Sequence, residues 1–184
     1  MKTDLKLEQA AGLVAKIEGV LREGCERIEP CGSFRRCRNT VGDIEFLIIP
    51  KPSASLWGEA VGSALDPILG RLLNEGRLLP GRASGEKYKQ FKIGSRPDIK
   101  LDLFIVTGDE WGVAMAIRTG PAQFSKAIVT QYRFGGLLPD GHTVKNNRVS
   151  DRDGRPISTP TEADFLNLCA CGYVEPHFRD GYPI

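Results

Sequence analysis

The chain has 184 residues, of which 41% are hydrophobic and 26% charged, and its formal net charge is +2. The hydrophobic and charged fractions are typical of a globular protein. A net charge this small excludes binding of nucleic acid through overall charge alone, so such binding would need a local basic patch. No apolar run approaches membrane-spanning length, and the N-terminal "MKTDLKLEQA" lacks a signal-peptide core, so we expect a cytoplasmic protein with no membrane partner.

The first half of the chain mixes helical and strand patterns. Apolar residues at helical spacing indicate an amphipathic helix at the start, and β-branched and aromatic runs indicate strands. Residues 77–93 are ambiguous, although "KYKQFKI" alternates like a strand. The patterns predict a helix over 6–23, a strand over 26–31, a helical turn from Ser33 to Arg38, a strand over 43–49, a helix over 56–74 and a strand over 99–106.

The second half begins with a helical pattern after "TGDEWG", which breaks at "TGPAQF" and resumes to about Tyr132. Residues 142–158 are rich in Asn, Asp and Gly and predict a hairpin. In "STPTEADFLNL", Thr159 is the expected N-cap and Glu162 closes a capping box, and Gly172 is expected to end that helix. We therefore expect an α+β fold with two domains, residues 1–108 and 109–184.

The chemistry of the chain is concentrated in "CGSFRRCRNTVGDIEFLIIP", residues 31–50. Side chains two apart on a strand point to one face, so Asp43 and Glu45 are expected to project together. Two close carboxylates repel unless a cation lies between them, and Mg²⁺ prefers such ligands. Asp102, an acid within the apolar "KLDLFIV", is the preferred third carboxylate and Asp98 the competing one. The alternative is a solvated strand edge with two unrelated acids.

The same stretch carries groups suited to phosphate. Ser33 can cap a helical turn, Arg35 and Arg36 have the forked donors that phosphate oxygens accept, and Gly42 lets a ligand approach the backbone. This combination favours phosphoryl transfer, in which positioning and charge neutralisation provide most of the catalysis.

These residues resemble the nucleotidyltransferase superfamily and, within it, the X-family DNA polymerases. "GSFRRCRNTVGDIE" is similar to the family's Gly-Ser, Arg-Arg and Gly-Asp-x-Asp signature, and "KLDLFIV" to its third-carboxylate strand. "RTGPAQFS" resembles its Thr-Gly turn, and "YVEPHFRD" its C-terminal Glu-Pro ending. The resemblance runs from about residue 30 to about residue 180, and the first motif is the most specific.

The resemblance implies a palm domain, with a mixed or antiparallel sheet and helices on one face, and a small C-terminal α+β subdomain for nucleotide selection and duplex contacts. Asp43, Glu45 and Asp102 would be the catalytic metal ligands, holding two Mg²⁺ ions for which Mn²⁺ could substitute. Arg35 would be structural. The implied nucleotide-binding residues are Gly32, Ser33, Arg36, Gly42, Thr119 and Gly120.

Three departures from the family pattern bear on function. Glu45 stands where the polymerases carry Asp, and Ile117-Arg118 replaces the aromatic pair that screens the sugar 2′-position, which implies weak discrimination against ribonucleotides. The resemblance also implies a minimal core without a lyase domain, so DNA affinity must come from the core. The basic segment 82–100 supplies candidate DNA-binding residues: Lys87, Lys89, Lys92 and Lys100.

The resulting hypothesis is a monomeric, X-family-like DNA polymerase acting in repair on a DNA primer or template-primer with a nucleoside triphosphate. A DNA ligase or an end-binding protein is a candidate partner. The alternative is a template-independent nucleotidyltransferase that acts on RNA ends, a protein or a small molecule, and a third hypothesis is a degenerate core that only binds nucleotide or DNA.

Overall fold

The computed structural model describes residues 4–54 and 60–184, and the chain divides into two compact units. The first unit consists of Met1–Pro30 and Asn39–Val106, and the second of Cys31–Arg38 and Thr107–Ile184. The chain thus leaves the second unit for the first after Arg38 and returns to it after Val106. Within the described ranges, no helix combines the length and the apolar composition needed to cross a membrane.

The described residues form short helices and strands, named here in chain order. The helices are α1 (Leu7–Leu21), α2 (Gly32–Arg35), α3 (Leu65–Asn74), α4 (Trp111–Thr119), α5 (Ala122–Ala127) and α6 (Glu162–Leu168). The strands are β1 (Leu5–Lys6), β2 (Cys25–Pro30), β3 (Thr40–Val41), β4 (Asp43–Pro50), β5 (Pro52–Ala54), β6 (Ala60–Ser63), β7 (Leu78–Ser84), β8 (Tyr88–Ile93), β9 (Arg96–Ile105), β10 (Thr143–Lys145), β11 (Arg148–Ser150) and β12 (Pro156–Ile157).

The first unit is built on a mixed five-stranded sheet with the strand order β2-β4-β9-β8-β7. Strands β4 and β9 are parallel, and every other neighbouring pair in this sheet is antiparallel. The parallel pair lies at the interior of the sheet, with β2 beside β4 and β8 beside β9. The expected fold class, α+β with a mixed sheet, is therefore confirmed.

The alternation of side chains along β4 and β9 gives the sheet two different faces. Ile44, Phe46, Leu101 and Leu103 are fully buried on one of them. Leu101 lines a cavity together with residues of α1 and α3, so this is the face that the helices cover. We call it the helix face.

The second unit has its own core, formed where α4, α5 and α6 meet. Phe124, Ile128, Phe165 and Leu166 are fully buried there. Gly112 makes this packing close, because a Cβ at that position would lie 2.2 Å from the carbonyl oxygens of both Thr159 and Thr161. A glycine is therefore required where α4 passes the segment that leads into α6.

The predicted hairpin of the second unit is a three-stranded antiparallel sheet, β10-β11-β12. Asn146 and Asn147 connect β10 to β11, and both have positive φ angles, of 50° and 56°. A two-residue connection with both residues in this conformation is the type I′ turn that asparagine favours.

Three expectations about helices are wrong. The last helix, α6, ends at Leu168 and not at Gly172. Ala60–Ser63 is a strand, so the predicted helix over 56–74 begins only at Leu65, and residues 55–59 lie outside the described part. The N-cap of α6 is Thr161 and not Thr159, because the Thr161 hydroxyl accepts from the Asp164 N–H and the Asp164 carboxylate accepts from the Thr161 N–H. Glu162 is then available for another role.

Candidate active site

The three predicted carboxylates lie on one face of the sheet in the first unit. Strands β4 and β9 pair Glu45 with Asp102 and Asp43 with Lys100. Strand β8 continues the same rows, pairing Gln90 with Asp102 and Lys92 with Lys100. Because directly paired residues share a face, the carboxylates lie opposite the helix face. This carboxylate face comprises Asp43, Glu45, Asp102, Lys100, Tyr88, Gln90 and Lys92.

The residue types and the backbone register of this face suit a hard divalent cation, which prefers carboxylate oxygens. Neighbouring strands lie about 4.8 Å apart, so Glu45 and Asp102 are within reach of a shared ion. As the side chains lie, however, residues 4–54 and 60–184 contain no group of three His, Cys, Asp or Glu side chains that could hold a metal ion. Joint binding by the three carboxylates would therefore need a different side-chain rotamer at one or more of them.

Asp102 is the most buried of the three, with 8% of its surface exposed. Its Oδ1 atom accepts hydrogen bonds from the Tyr88 hydroxyl at 2.8 Å and from Gln90 Nε2 at 2.9 Å. Burying an ionised carboxylate without donors would be costly, and these two bonds offset that cost. Asp98, the competing candidate, is more exposed and forms an ion pair with Arg96 at 3.2 Å.

The four predicted DNA-binding lysines separate into two groups. Lys92 and Lys100 are exposed and lie opposite each other on the carboxylate face. Lys89 points to the helix face, where its Nζ lies 3.4 Å from Asp66 of α3. Lys87 precedes β8 and is exposed. Of the four lysines, only Lys92 and Lys100 therefore share a face with the carboxylates.

In the second unit, Gly32 and Ser33 begin the short helix α2. Gly32 has a φ of 64°, a conformation that favours glycine. The Ser33 Oγ atom is buried and has no hydrogen-bond partner within the protein. A buried hydroxyl that is not paired is uncommon, and it is consistent with a hydroxyl that donates to a ligand.

Arg35 has a structural position, as expected. Its two terminal nitrogens form a fork with the two oxygens of Glu162, at 2.9 and 2.8 Å, and Nη1 also donates to the Thr119 hydroxyl. Arg179 donates to Glu162 Oε1 at 2.7 Å. Burial of Glu162 acts to raise its pKa, but the hydrogen bonds and charges of Arg35 and Arg179 outweigh this effect and hold the pKa below its ordinary value.

Arg36, the predicted triphosphate ligand, is engaged by protein acceptors in this structure. Its Nε donates to Asp180 at 3.0 Å and its Nη1 donates to the Thr119 carbonyl at 2.8 Å. Phosphate binding by Arg36 therefore stays a prediction, and it would require Asp180 to share this guanidinium with the ligand.

Thr119 and Gly120 lie at the end of α4. Gly120 leaves room for neighbours, since a Cβ there would lie 2.6 Å from Ser125 Oγ, which in turn donates to the Ile117 carbonyl at 2.7 Å. This packing accounts for the glycine without a ligand. Gly42 lies in the first unit, immediately before β4, and is half-buried.

Sequence reasoning missed Tyr88 and Gln90 as neighbours of Asp102. The alternation in "KYKQFKI" places the two on one face, but their pairing with β9 is set by the fold. It also missed that Glu162 accepts from Arg35 and from Arg179, and that Asp180 accepts from Arg36. The sequence around Glu162, Arg179 and Asp180 carries no signal that predicts these contacts.

Comparison with known proteins finds a distant relative among the DNA polymerases. The chain is 28% identical to DNA polymerase lambda of Rattus norvegicus in an alignment 187 positions long, which covers 90% of this chain. The chain spans 32% of the length of that polymerase. No family model matches the chain. The similarity supports a distant relation to an X-family polymerase.

Proposed function

We propose that this chain catalyses metal-dependent nucleotidyl transfer from a nucleoside triphosphate to the 3′-hydroxyl of a DNA primer, with release of pyrophosphate, at gaps or ends during repair. The observation that carries the proposal is the register of the first sheet, in which Asp43 and Glu45 alternate on β4 and Glu45 pairs with Asp102 on β9. The distant similarity to a DNA polymerase supports the same reaction class.

Asp43, Glu45 and Asp102 would hold two divalent ions, Mg²⁺ or Mn²⁺, which supply charge neutralisation at the triphosphate and activation of the acceptor hydroxyl. In the reaction, the acceptor oxygen bonds to the α-phosphorus and the bond to the β,γ-diphosphate breaks. Asp102 takes the hydroxyl proton, through the Oδ2 atom that neither Tyr88 nor Gln90 uses.

Lys92 and Lys100 are placed to hold the nucleic acid. Like charges directly opposite each other on neighbouring strands are destabilising, and these two lysines form such a pair. A backbone phosphate between them would offset this repulsion and would bring the primer one row from Glu45 and Asp102. We therefore propose these two, rather than Lys87 and Lys89, as the primer-binding lysines.

In the second unit, Ser33 is the proposed phosphate ligand, because its buried hydroxyl has no protein partner. Arg35 acts by fixing α2 through Glu162 and does not contact the nucleotide. Arg36 would bind phosphate while sharing its guanidinium with Asp180.

The test is primer extension with Mg²⁺ or Mn²⁺ on single-stranded, nicked, gapped and template-primer DNA. We expect template-dependent addition of nucleotides by the parent chain and none by Asp102→Asn. Asp98→Asn is the matched control, since it removes a similar charge from the same strand, and it should keep full activity.

Two results would contradict the proposal. Extension by Asp102→Asn together with loss in Asp98→Asn would show that the third carboxylate is Asp98. Transfer of nucleotides to RNA ends, a protein or a small molecule, with no extension of any DNA, would replace the polymerase with the alternative nucleotidyltransferase.

A further inference from the structure

Among the residues that the structure describes, two side chains of β8 form the hydrogen-bonded network that holds Asp102. The Tyr88 hydroxyl and Gln90 Nε2 both donate to Asp102 Oδ1, and Gln90 Nε2 also lies 2.9 Å from the Tyr88 hydroxyl oxygen. Both bonds to the carboxylate fall on the same oxygen. Neither donor uses Oδ2, so that oxygen is left for another partner.

The orientation of Gln90 is itself determined. Its Oε1 accepts from the backbone N–H of Arg82 at 3.4 Å, and its Nε2 faces the carboxylate. A carboxylate can only accept and a backbone N–H can only donate, so the amide group has a single orientation that serves both.

Tyr88 is held by its ring as well as by its hydroxyl. The ring stacks on Phe104, with centroids 5.2 Å apart and an interplanar angle of 15°. Phe104 lies two residues beyond Asp102 on β9 and pairs with Tyr88 in the strand register. The hydroxyl is therefore fixed by contacts that do not depend on Asp102.

We infer that Tyr88 and Gln90 are positioning residues that orient the Asp102 carboxylate for divalent-metal binding and transfer. This inference rests on the proposed function and deepens it, since it concerns the same carboxylate. Hydrogen bonds to a metal-ligating carboxylate fix its direction, and removing such a bond weakens metal binding without removing a ligand.

The experiment compares Tyr88→Phe and Gln90→Leu with the parent chain. Tyr88→Phe removes one hydroxyl and keeps the ring that stacks on Phe104, and Gln90→Leu removes the amide at nearly constant volume. Tyr173→Phe is the matched control, because that tyrosine is exposed, belongs to the second unit, and places its hydroxyl 3.5 Å from Glu175.

Three quantities are measured on each variant. Binding of Mn²⁺ alone, without nucleotide or DNA, is followed by the electron paramagnetic resonance signal of the free ion. Primer extension gives kcat and the KM for nucleotide, and thermal unfolding reports folding. We expect each variant to bind Mn²⁺ about 10–100-fold more weakly and to lose kcat by a similar factor, which is the usual effect of removing an outer hydrogen bond.

The KM for nucleotide should stay within about twofold, because an interaction that acts on the reacting groups lowers kcat and not ground-state binding. Unchanged or tighter Mn²⁺ binding in both variants would overturn the inference, as would Mn²⁺ binding by the parent that Asp102→Asn leaves unchanged. If the parent transfers no nucleotide but Tyr88→Phe still weakens its Mn²⁺ binding, the positioning role stands and the proposed function fails.

Discussion

Replacing Glu162 with Gln should destabilise the second unit strongly at neutral pH. The Glu162 carboxylate is 7% exposed and accepts the fork of Arg35 and one bond from Arg179, whose side chain is fully buried. Removing one partner of a buried ion pair costs about 3–5 kcal/mol. We expect the lower end, about 3 kcal/mol, because Arg179 also donates to the Val174 carbonyl and Arg35 to Thr119, and those bonds remain.

The effect should depend on pH in a definite direction. The folded-state pKa of Glu162 lies below its ordinary value of 4.5, so the ionised carboxylate stabilises the fold above that pH. This stabilisation is lost as the pH falls through the lowered pKa. The difference between the parent and Glu162→Gln should therefore be constant at neutral pH and shrink below pH 4.5.

The measurement is urea unfolding followed by tryptophan fluorescence. The sequence has two tryptophans, and a Trp57→Phe background leaves Trp111, which is buried in α4 of the second unit, as the reporter. With a slope of about 2 kcal/mol per molar urea, the loss corresponds to a midpoint shift of roughly 1.5 M. Glu175→Gln, at an exposed position of the same unit, should change stability by less than about 0.5 kcal/mol. Equal midpoints for Glu162→Gln and the parent at pH 7, or a difference that grows in acid, would refute the reasoning.

Two further predictions concern packing and thiol reactivity. Gly112→Ala should lower the free energy of unfolding by about 1–3 kcal/mol, since its Cβ would overlap two carbonyl oxygens. Gly12→Ala is the control, because a Cβ at this position in α1 has open space, and it should be neutral or stabilising. Urea unfolding measures both variants, and equal changes in the free energy of unfolding would contradict this prediction. Burial raises the pKa of the Cys25 thiol to about 11, while the Cys37 thiol is exposed. Iodoacetamide at neutral pH should therefore label Cys37 in the native protein and Cys25 only after unfolding. Peptide mass spectrometry distinguishes the two sites, with Cys37→Ser as the control, and rapid native labelling of Cys25 would be inconsistent with its burial.

Local sequence was sufficient where a short stretch controls its own geometry. The period of two along β4 places Asp43 and Glu45 on one face and Ile44 and Phe46 on the other, and the structure has this arrangement. The Asn146-Asn147 turn also follows from residues that tolerate positive φ. The N-cap of α6 shows the limit, because the local spacing predicted Thr159 and the structure has Thr161 in this role.

The amino-acid sequence by itself determined strands β2, β4 and β9, the two-sided pattern of β4 and the three acids that carry the proposed chemistry. Only the tertiary structure decided which strands are neighbours, and hence that Glu45, Asp102 and Gln90 form one row while Lys89 belongs to the opposite face. It also decided that Glu162 pairs with Arg35, which is 127 residues away, and does not close a capping box. The physical reason is that strand alternation and turn geometry are local properties of the backbone. Strand order and buried ion pairs depend instead on which distant segments pack together.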